Sequence, residues 1–144
     1  MRLPFNQMSV LVADDSPTMR QLLKSSLDSF GVAKIMMAHD GDQAFEMFCQ
    51  GWADLAIVDW NMKPMNGIDF VRLLRNSPES PNPYIPVMMV TGHADMERVA
   101  EARDAGMTEI LSKPLAPKVL KERIEAVFQN PRTFIRSNDY FGPD

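Results

Sequence analysis

The chain has 144 residues, of which 45% are hydrophobic and 24% charged, with a formal net charge of -4 at pH 7. This length predicts one domain that buries about two thirds of its unfolded surface, and the absence of a basic block argues against direct nucleic-acid binding. The single cysteine, Cys49, excludes an internal disulfide and a multi-cysteine metal site.

No apolar run reaches 18 residues and no signal-peptide pattern opens the chain, so we expect no membrane contact and a reducing, cytoplasmic location. Cys49 falls in a predicted helix, which favours a buried, unreactive thiol.

Short apolar segments alternate with segments of helical periodicity, after an arm at residues 1–7 that has no periodicity. The predicted strands are residues 8–13, 32–38, 55–59, 85–90 and 109–112. The first predicted helix runs from Ser16-Pro17 to Gly31. The second has Ala44, Phe45, Phe48 and Trp52 on its apolar side and is broken by Gly51. The others run from about Asn66, over residues 94–105, and along Leu120, Ile124, Val127 and Phe128.

This alternation predicts an α/β fold with a parallel sheet, right-handed crossovers and helices on both faces. The first, third and fourth strands are solidly apolar, as central strands should be. We therefore expect a five-stranded, doubly wound, flavodoxin-like sheet of order 2-1-3-4-5 with five helices, and a switch point between strands one and three.

Polar residues follow four of the predicted strands: Asp14-Asp15, Asp59, Thr91 and Lys113. The carboxyl ends of parallel strands share one edge, so these side chains should converge there. Three converging carboxylates need a cation, and Mg²⁺ suits them. Lys113 and the Thr91 hydroxyl would then face an anion, most simply a phosphoryl group. Each residue alone could be a helix cap or a solvated turn, but their coincidence at four strand ends favours function.

The pattern resembles the receiver domain of bacterial two-component response regulators, most closely the single-domain chemotaxis type. The resemblance covers about Met8 to Phe128. Its marks are Asp14-Asp15, Val58-Asp59-Trp60-Asn61-Met62 with Gly67 eight residues after the aspartate, Thr91, and Lys113-Pro114. We accordingly divide the chain into a receiver domain, residues 1–129, and a C-terminal tail or truncated linker, residues 130–144.

The resemblance implies a phosphorelay function, in which Asp59 accepts a phosphoryl group from a sensor histidine kinase or a phosphotransfer protein. It implies Mg²⁺ bound by Asp15, Asp59 and the backbone carbonyl of Asn61, with Asp14 helping directly or through water. Lys113 would pair with the phosphoryl oxygens through a cis Lys113-Pro114 peptide.

Thr91 would hydrogen-bond the phosphoryl group and signal to a downstream protein through helix 4, strand 5 and helix 5. Such a domain assists its own phosphorylation and dephosphorylation but is not an enzyme with an external product.

Three positions depart from the family pattern: Ile110 replaces the usual aromatic switch residue, Lys63-Pro64 shifts the loop proline by one place, and Gly92 follows Thr91. In the family, the residues two after the phosphoacceptor and two after the threonine tune phosphate lifetime; here they are Asn61 and His93.

The tail carries Phe134, Tyr140 and Phe141, which pack back on the body, form a peptide for others to recognise, or belong to a disordered linker. The chain could also be a receiver fragment of a larger regulator. A phosphatase with an aspartyl nucleophile is a further alternative, although Asn61 stands where its second carboxylate would be expected.

Overall fold

The computed structural model describes residues 4–92 and 96–144. Its main sheet has five parallel strands in the order β2-β1-β3-β4-β5, which confirms the predicted fold class and strand order. The strands are β1 Ser9–Ala13, β2 Lys34–Ala38, β3 Leu55–Asp59, β4 Val87–Thr91 and β5 Glu109–Ser112. The helices are α1 Pro17–Phe30, α2 Gly41–Gln50, α3 Gly67–Asn76, α4 Met96–Ala105 and α5 Pro117–Gln129.

The central strands owe their position to their composition. Every residue of β3 and β4 is buried, whereas the edge strands β2 and β5 keep partly exposed positions. Alternate residues of the strands point to opposite faces, so each face packs against its own apolar layer. The helices cover both faces of the sheet and leave the strand ends open for polar side chains.

Side-chain caps begin three helices, α1, α2 and α3, at the carboxyl edge of the sheet. The Ser16 hydroxyl accepts a hydrogen bond from the Met19 amide, and Asp40 and Asn66 cap α2 and α3 in the same way. Gly31 ends α1 in the left-handed conformation, with φ 87°.

Some element ends differ from the prediction. β2 begins at Lys34 because the Val32 amide still donates to the Leu27 carbonyl at the end of α1. β4 begins at Val87, after Pro86, which has no amide to donate to a ladder. The predicted start of the fourth helix at Ala94, and His93, lie outside the described residues.

Two side-chain predictions were wrong. Cys49 is exposed rather than buried, because it follows the inward-facing Phe48 on the solvent side of α2. Trp52 is 60% exposed, because α2 ends at Gln50 and the helical periodicity does not extend to it. Its indole N–H instead donates to Asp54, 2.7 Å away.

The tail forms an antiparallel hairpin of β6, Phe134–Arg136, and β7, Phe141–Pro143. Phe141 is buried, and its ring contacts those of Tyr84 and Phe134. The aromatic side chains of the tail therefore pack against the body of the domain.

Arg75, at the end of α3, joins the tail to the amino edge of the sheet. Its guanidinium is buried and donates hydrogen bonds to the carbonyls of Pro83, Ile85 and Gly106, at 2.6–3.0 Å. It also lies 4.9 Å from the centre of the Phe134 ring. Burial lowers the pKa of Arg75 to about 10, which leaves it charged at neutral pH.

None of the helices in residues 4–92 and 96–144 has the length and apolar character that a membrane crossing requires.

Candidate functional site

Asp59 is the last residue of β3, and the main chain around it is held on both sides by the sheet. Val58 pairs with Ala13 of β1, and Asp59 pairs with Val90 of β4. The residue is only 6% exposed. A carboxylate therefore ends a completely buried strand, at the switch point where a doubly wound sheet binds its ligands.

The carboxylates of Asp14 and Asp15 come from the end of β1 and converge on Asp59. Ligand oxygens of the three side chains all lie within 4.8 Å of one another. Asp14 and Asp59 are buried and Asp15 is exposed. The structure thus brings together the three aspartates predicted to meet, and Asp15 is the one on the solvent side.

Asp14 is fixed by its own neighbours. One carboxylate oxygen accepts a hydrogen bond from the Ser16 amide at 2.9 Å. The Asp14 carbonyl accepts another from the guanidinium of Arg20 at 2.6 Å. Its second carboxylate oxygen is left to face Lys113.

Lys113 reaches the cluster from the end of β5. Its Nζ lies 3.3 Å from Asp14 Oδ2 and 3.5 Å from Asp59 Oδ1. Its backbone amide donates to the Thr91 carbonyl at 2.8 Å, and the Lys113-Pro114 peptide is cis, which confirms the expectation from the resemblance. The ammonium therefore lies between two carboxylates, and the Lys113 side chain keeps 24% of its surface exposed.

The electrostatics of the cluster disfavour a charged Asp59. Burial raises the pKa of Asp59, the Asp14 carboxylate raises it further, Lys113 lowers it by its charge and its hydrogen bond, and Asp15 adds a smaller rise. A bound cation would restore the ionised form. The donor set fits Mg²⁺, since carboxylate oxygens are its preferred protein ligands and the exposed Asp15 leaves a side for water.

Asn61 lies exposed in the loop after β3. That its backbone carbonyl is a fourth protein ligand of Mg²⁺ stays a prediction. Lys63 is also exposed, and the Lys63-Pro64 peptide is cis.

Two glycines hold the loop after Asp59 in place. The Gly67 amide donates to the Trp60 carbonyl at 3.1 Å, and a β-carbon at Gly67 would clash with the Asp59 carbonyl oxygen. The Gly41 amide, at the start of α2, donates to the Met65 carbonyl at 2.9 Å, and a β-carbon there would lie 2.7–2.9 Å from Met65 atoms. The role of Gly41 was missed, although the cap-and-glycine pair Asp40-Gly41 marks a helix start.

Thr91 and Ile110 lie on one face of the sheet. Thr91 ends β4 and is fully buried. Met89, two residues earlier, pairs with Ile110 of β5, and strand alternation puts the side chains of Thr91, Met89 and Ile110 on the same side. Ile110 is partly buried against the apolar layer of that face.

Trp60, directly after Asp59, is buried, and the guanidinium of Arg98 lies 4.8 Å above its ring. This contact joins α4 to the residue next to the carboxylate cluster. Sequence reasoning missed it, because nothing in the pattern of α4 pairs Arg98 with a residue 38 positions earlier.

Comparisons with known proteins agree on one family. A family model described as the response regulator receiver domain matches residues 10–125. The chemotaxis protein CheY of Pseudomonas aeruginosa is 38% identical over 122 residues, which cover 85% of this chain and 97% of that protein. CheY-3 of Vibrio cholerae is 35% identical over 122 residues, covering 85% and 92%. The solved structure of CheY4 from Vibrio cholerae, crystallised at low pH, has a TM-score of 0.77 at 30% identity and covers 83% of this chain and 98% of that one.

Proposed function

The chain belongs to the response regulator receiver domain family, with CheY chemotaxis proteins among its relatives, and from that premise we propose that it is a phosphorylation switch. Asp59 accepts a phosphoryl group from a phosphohistidine of a sensor histidine kinase or a phosphotransfer protein, in the cytoplasm. The observation that carries this proposal is the position of Lys113 Nζ, 3.3 Å from Asp14 and 3.5 Å from Asp59.

The reaction is a transfer between two nucleophiles. An oxygen of the Asp59 carboxylate attacks the phosphorus, the P–N bond to the donor imidazole breaks, and a P–O bond forms to give an acyl phosphate. The leaving imidazole keeps the bond electrons and takes up a proton. The Lys113 ammonium then pairs with the negatively charged phosphoryl oxygens. It can reach them because it already lies beside the carboxylate of Asp59.

Asp14, Asp15 and Asp59 would hold Mg²⁺, together with the Asn61 carbonyl. When bound, Mg²⁺ neutralises the carboxylates and polarises the phosphoryl oxygens. The geometry of the three aspartates supports this set. The Ser16 amide holds one carboxylate oxygen of Asp14, and the other lies 3.3 Å from Lys113 Nζ, so it already faces the site before a ligand arrives.

Switching runs from the phosphoryl group to a protein-binding surface. Thr91 hydrogen-bonds the new group with its hydroxyl. The motion passes to Ile110, which packs on the same face of the sheet, and to the surface of α4, β5 and α5, where a downstream protein binds. The hydrogen bond from the Lys113 amide to the Thr91 carbonyl joins the ends of β4 and β5, which supports the coupling of these two strands.

We further propose that residues 1–129 are the receiver unit and residues 130–144 an accessory tail, a division supported by the extent of the family match, residues 10–125. Whether the chain is a fragment of a larger regulator has no bearing on the chemistry at Asp59.

Incubation with Mg²⁺ and acetyl phosphate tests the proposal by intact mass. We expect the addition of one phosphoryl group, its loss in Asp59→Asn, and its retention in Asp28→Asn, a matched control at an exposed position of α1. Omission of Mg²⁺ should prevent the addition.

An unchanged mass in the parent protein would contradict the switch. Turnover of many phosphate monoesters by each protein molecule would favour the aspartyl phosphatase instead.

A further inference from the structure

A groove of about 800 Å³ runs along α3 towards the tail hairpin. Its apolar lining includes Met65, Leu73, Ala105 and Phe141. One end is formed by Pro64 and Met65, in the loop that follows Asp59, and the other by the tail. The groove therefore connects the loop beside the carboxylate cluster to the amino edge of the sheet.

Carboxylates dominate the polar part of the groove. Asp42, Asp69, Asp104 and Asp139 line it, and among the described lining residues Arg72 is the one lysine or arginine. All four aspartates are exposed, and within residues 4–92 and 96–144 none of them makes an ion pair. Like charges grouped around an apolar floor attract a ligand that is cationic on one side and apolar on the other.

The tail makes the groove a feature of this chain. Asp139, Tyr140 and Phe141 form one wall, and they lie beyond residues 10–125, where the family match ends. The wall is held in place because Phe141 is buried beside Tyr84 and Phe134. Tyr140 donates from its hydroxyl to the Pro143 carbonyl at 2.7 Å.

We propose that this groove is a docking site for a cationic amphipathic helix of a partner protein. α3 has ten residues and is thus about 15 Å long, so it can contact roughly three turns of such a helix. The helix would place leucine-type side chains on Met65, Leu73 and Phe141 and its lysines or arginines against the four aspartates. Only the last two residues of α4, Asp104 and Ala105, line the groove, and no residue of β5 or α5 is in its described lining. The site therefore lies mostly outside the α4–β5–α5 surface and goes beyond the proposed phosphorylation switch.

A second copy of the chain is a poorer occupant. The chain is acidic overall, with 15 basic and 19 acidic residues. Two of its exposed arginines, Arg123 and Arg132, are already paired with Glu109, at 2.8 and 3.1 Å. A partner that carries unpaired cations therefore has the better electrostatic match.

A designed probe tests the site without knowledge of the natural partner. The probe is a fluorescent 14-residue peptide of leucine and lysine, with leucine at helical spacing. A scrambled peptide of the same composition and a peptide with glutamate for lysine are its controls. Fluorescence anisotropy gives the affinity, and amide chemical shifts of the protein give the location. We expect shifts concentrated at residues 64–65, 69–76 and 139–141, with tighter binding of the amphipathic lysine peptide than of either control.

Variants test the charge match directly. Asp104→Asn combined with Asp139→Asn removes two of the four charges without changing side-chain size, and should weaken binding about fivefold. Glu122→Gln, at an exposed position of α5, should leave the affinity within about twofold. Asp59→Asn should bind the probe like the parent protein, so a failed switch and a failed groove give different results.

Any one of these peptide-binding results would overturn the proposal: equal binding of the scrambled peptide, shifts that fall outside the groove, or an unchanged affinity in the double variant. Sedimentation that shows a dimer of the parent protein, lost in the double variant, would assign the groove to a second copy and also overturn it.

Discussion

Replacing Asp59 with asparagine should stabilise the domain when divalent cations are absent. Two carboxylates within 4.8 Å of each other repel by at least about 3.5 kcal/mol at an effective dielectric constant of about 20. Lys113, 3.5 Å from Asp59 Oδ1, contributes an attraction of about 4.7 kcal/mol on the same scale. This attraction roughly offsets the repulsion from Asp14.

Two terms that disfavour the Asp59 charge then remain: the cost of burying the carboxylate, and a solvent-screened repulsion from the exposed Asp15. We therefore expect Asp59→Asn to raise the free energy of unfolding by about 1–2 kcal/mol at pH 7 in EDTA. Urea denaturation measures this free energy, and its linear dependence on urea concentration should have the same slope in both proteins. Asp28→Asn is the control and should change stability by less than about 0.5 kcal/mol.

The pH dependence has a defined sign. Because the pKa of Asp59 is raised in the folded protein, it is the ionised form that destabilises the fold. The difference in unfolding free energy between Asp59→Asn and the parent protein should reach its full value above that raised pKa. It should vanish as the pH falls through the raised pKa towards 3.8, the ordinary value. Mg²⁺ should stabilise the parent more than the variant and reduce the difference at neutral pH. A variant that is no more stable than the parent in EDTA would refute this account of the cluster.

Three other substitutions test the supporting structure. Gly67→Ala should cost more than about 2 kcal/mol of unfolding free energy, because the new methyl meets the Asp59 carbonyl. Gly92→Ala, which has open space around it, is its control, and equal losses in the two would contradict the clash. Arg75→Met should cost about 3 kcal/mol of unfolding free energy in urea denaturation, because two buried carbonyls and a partly buried one lose their donor. Arg72→Met, on the exposed side of α3, should cost less than about 0.5 kcal/mol. Ile110→Tyr should keep the rate of phosphorylation by acetyl phosphate within about twofold while changing which α4–β5–α5 amides shift on phosphorylation; a larger loss of rate would place Ile110 in the site itself.

The fold was predictable because each element carries its own periodicity. Strands that are buried on both faces read as unbroken apolar runs, and the runs at β3 and β4 fixed the centre of the sheet. The convergence of the site residues was predictable for a related reason: in a parallel sheet, the residues that follow the strands lie at one edge whatever the loops do. Asp14, Asp59 and Lys113 meet as expected.

Contacts between distant segments were not predictable. The tail strands have three residues each, too few to show an alternation, and their docking depends on Arg75, far away in the sequence. The prediction that Cys49 is buried was also wrong, because neighbouring residues of α2 can lie on its inner and its outer face. The Gly41–Met65 and Arg98–Trp60 contacts likewise join residues that no local pattern relates.

The stacking of Arg98 on Trp60 provides the protein with its own optical probe. Trp60 is buried beside Asp59 under a guanidinium, so a change of charge at Asp59 should alter the intensity of its indole emission. Trp52, 60% exposed, emits from a watery environment at longer wavelength and should respond little. With Trp52→Phe, cation binding and phosphorylation could be followed in real time from the natural fluorescence of a single side chain, with no label attached to the surfaces that partners use.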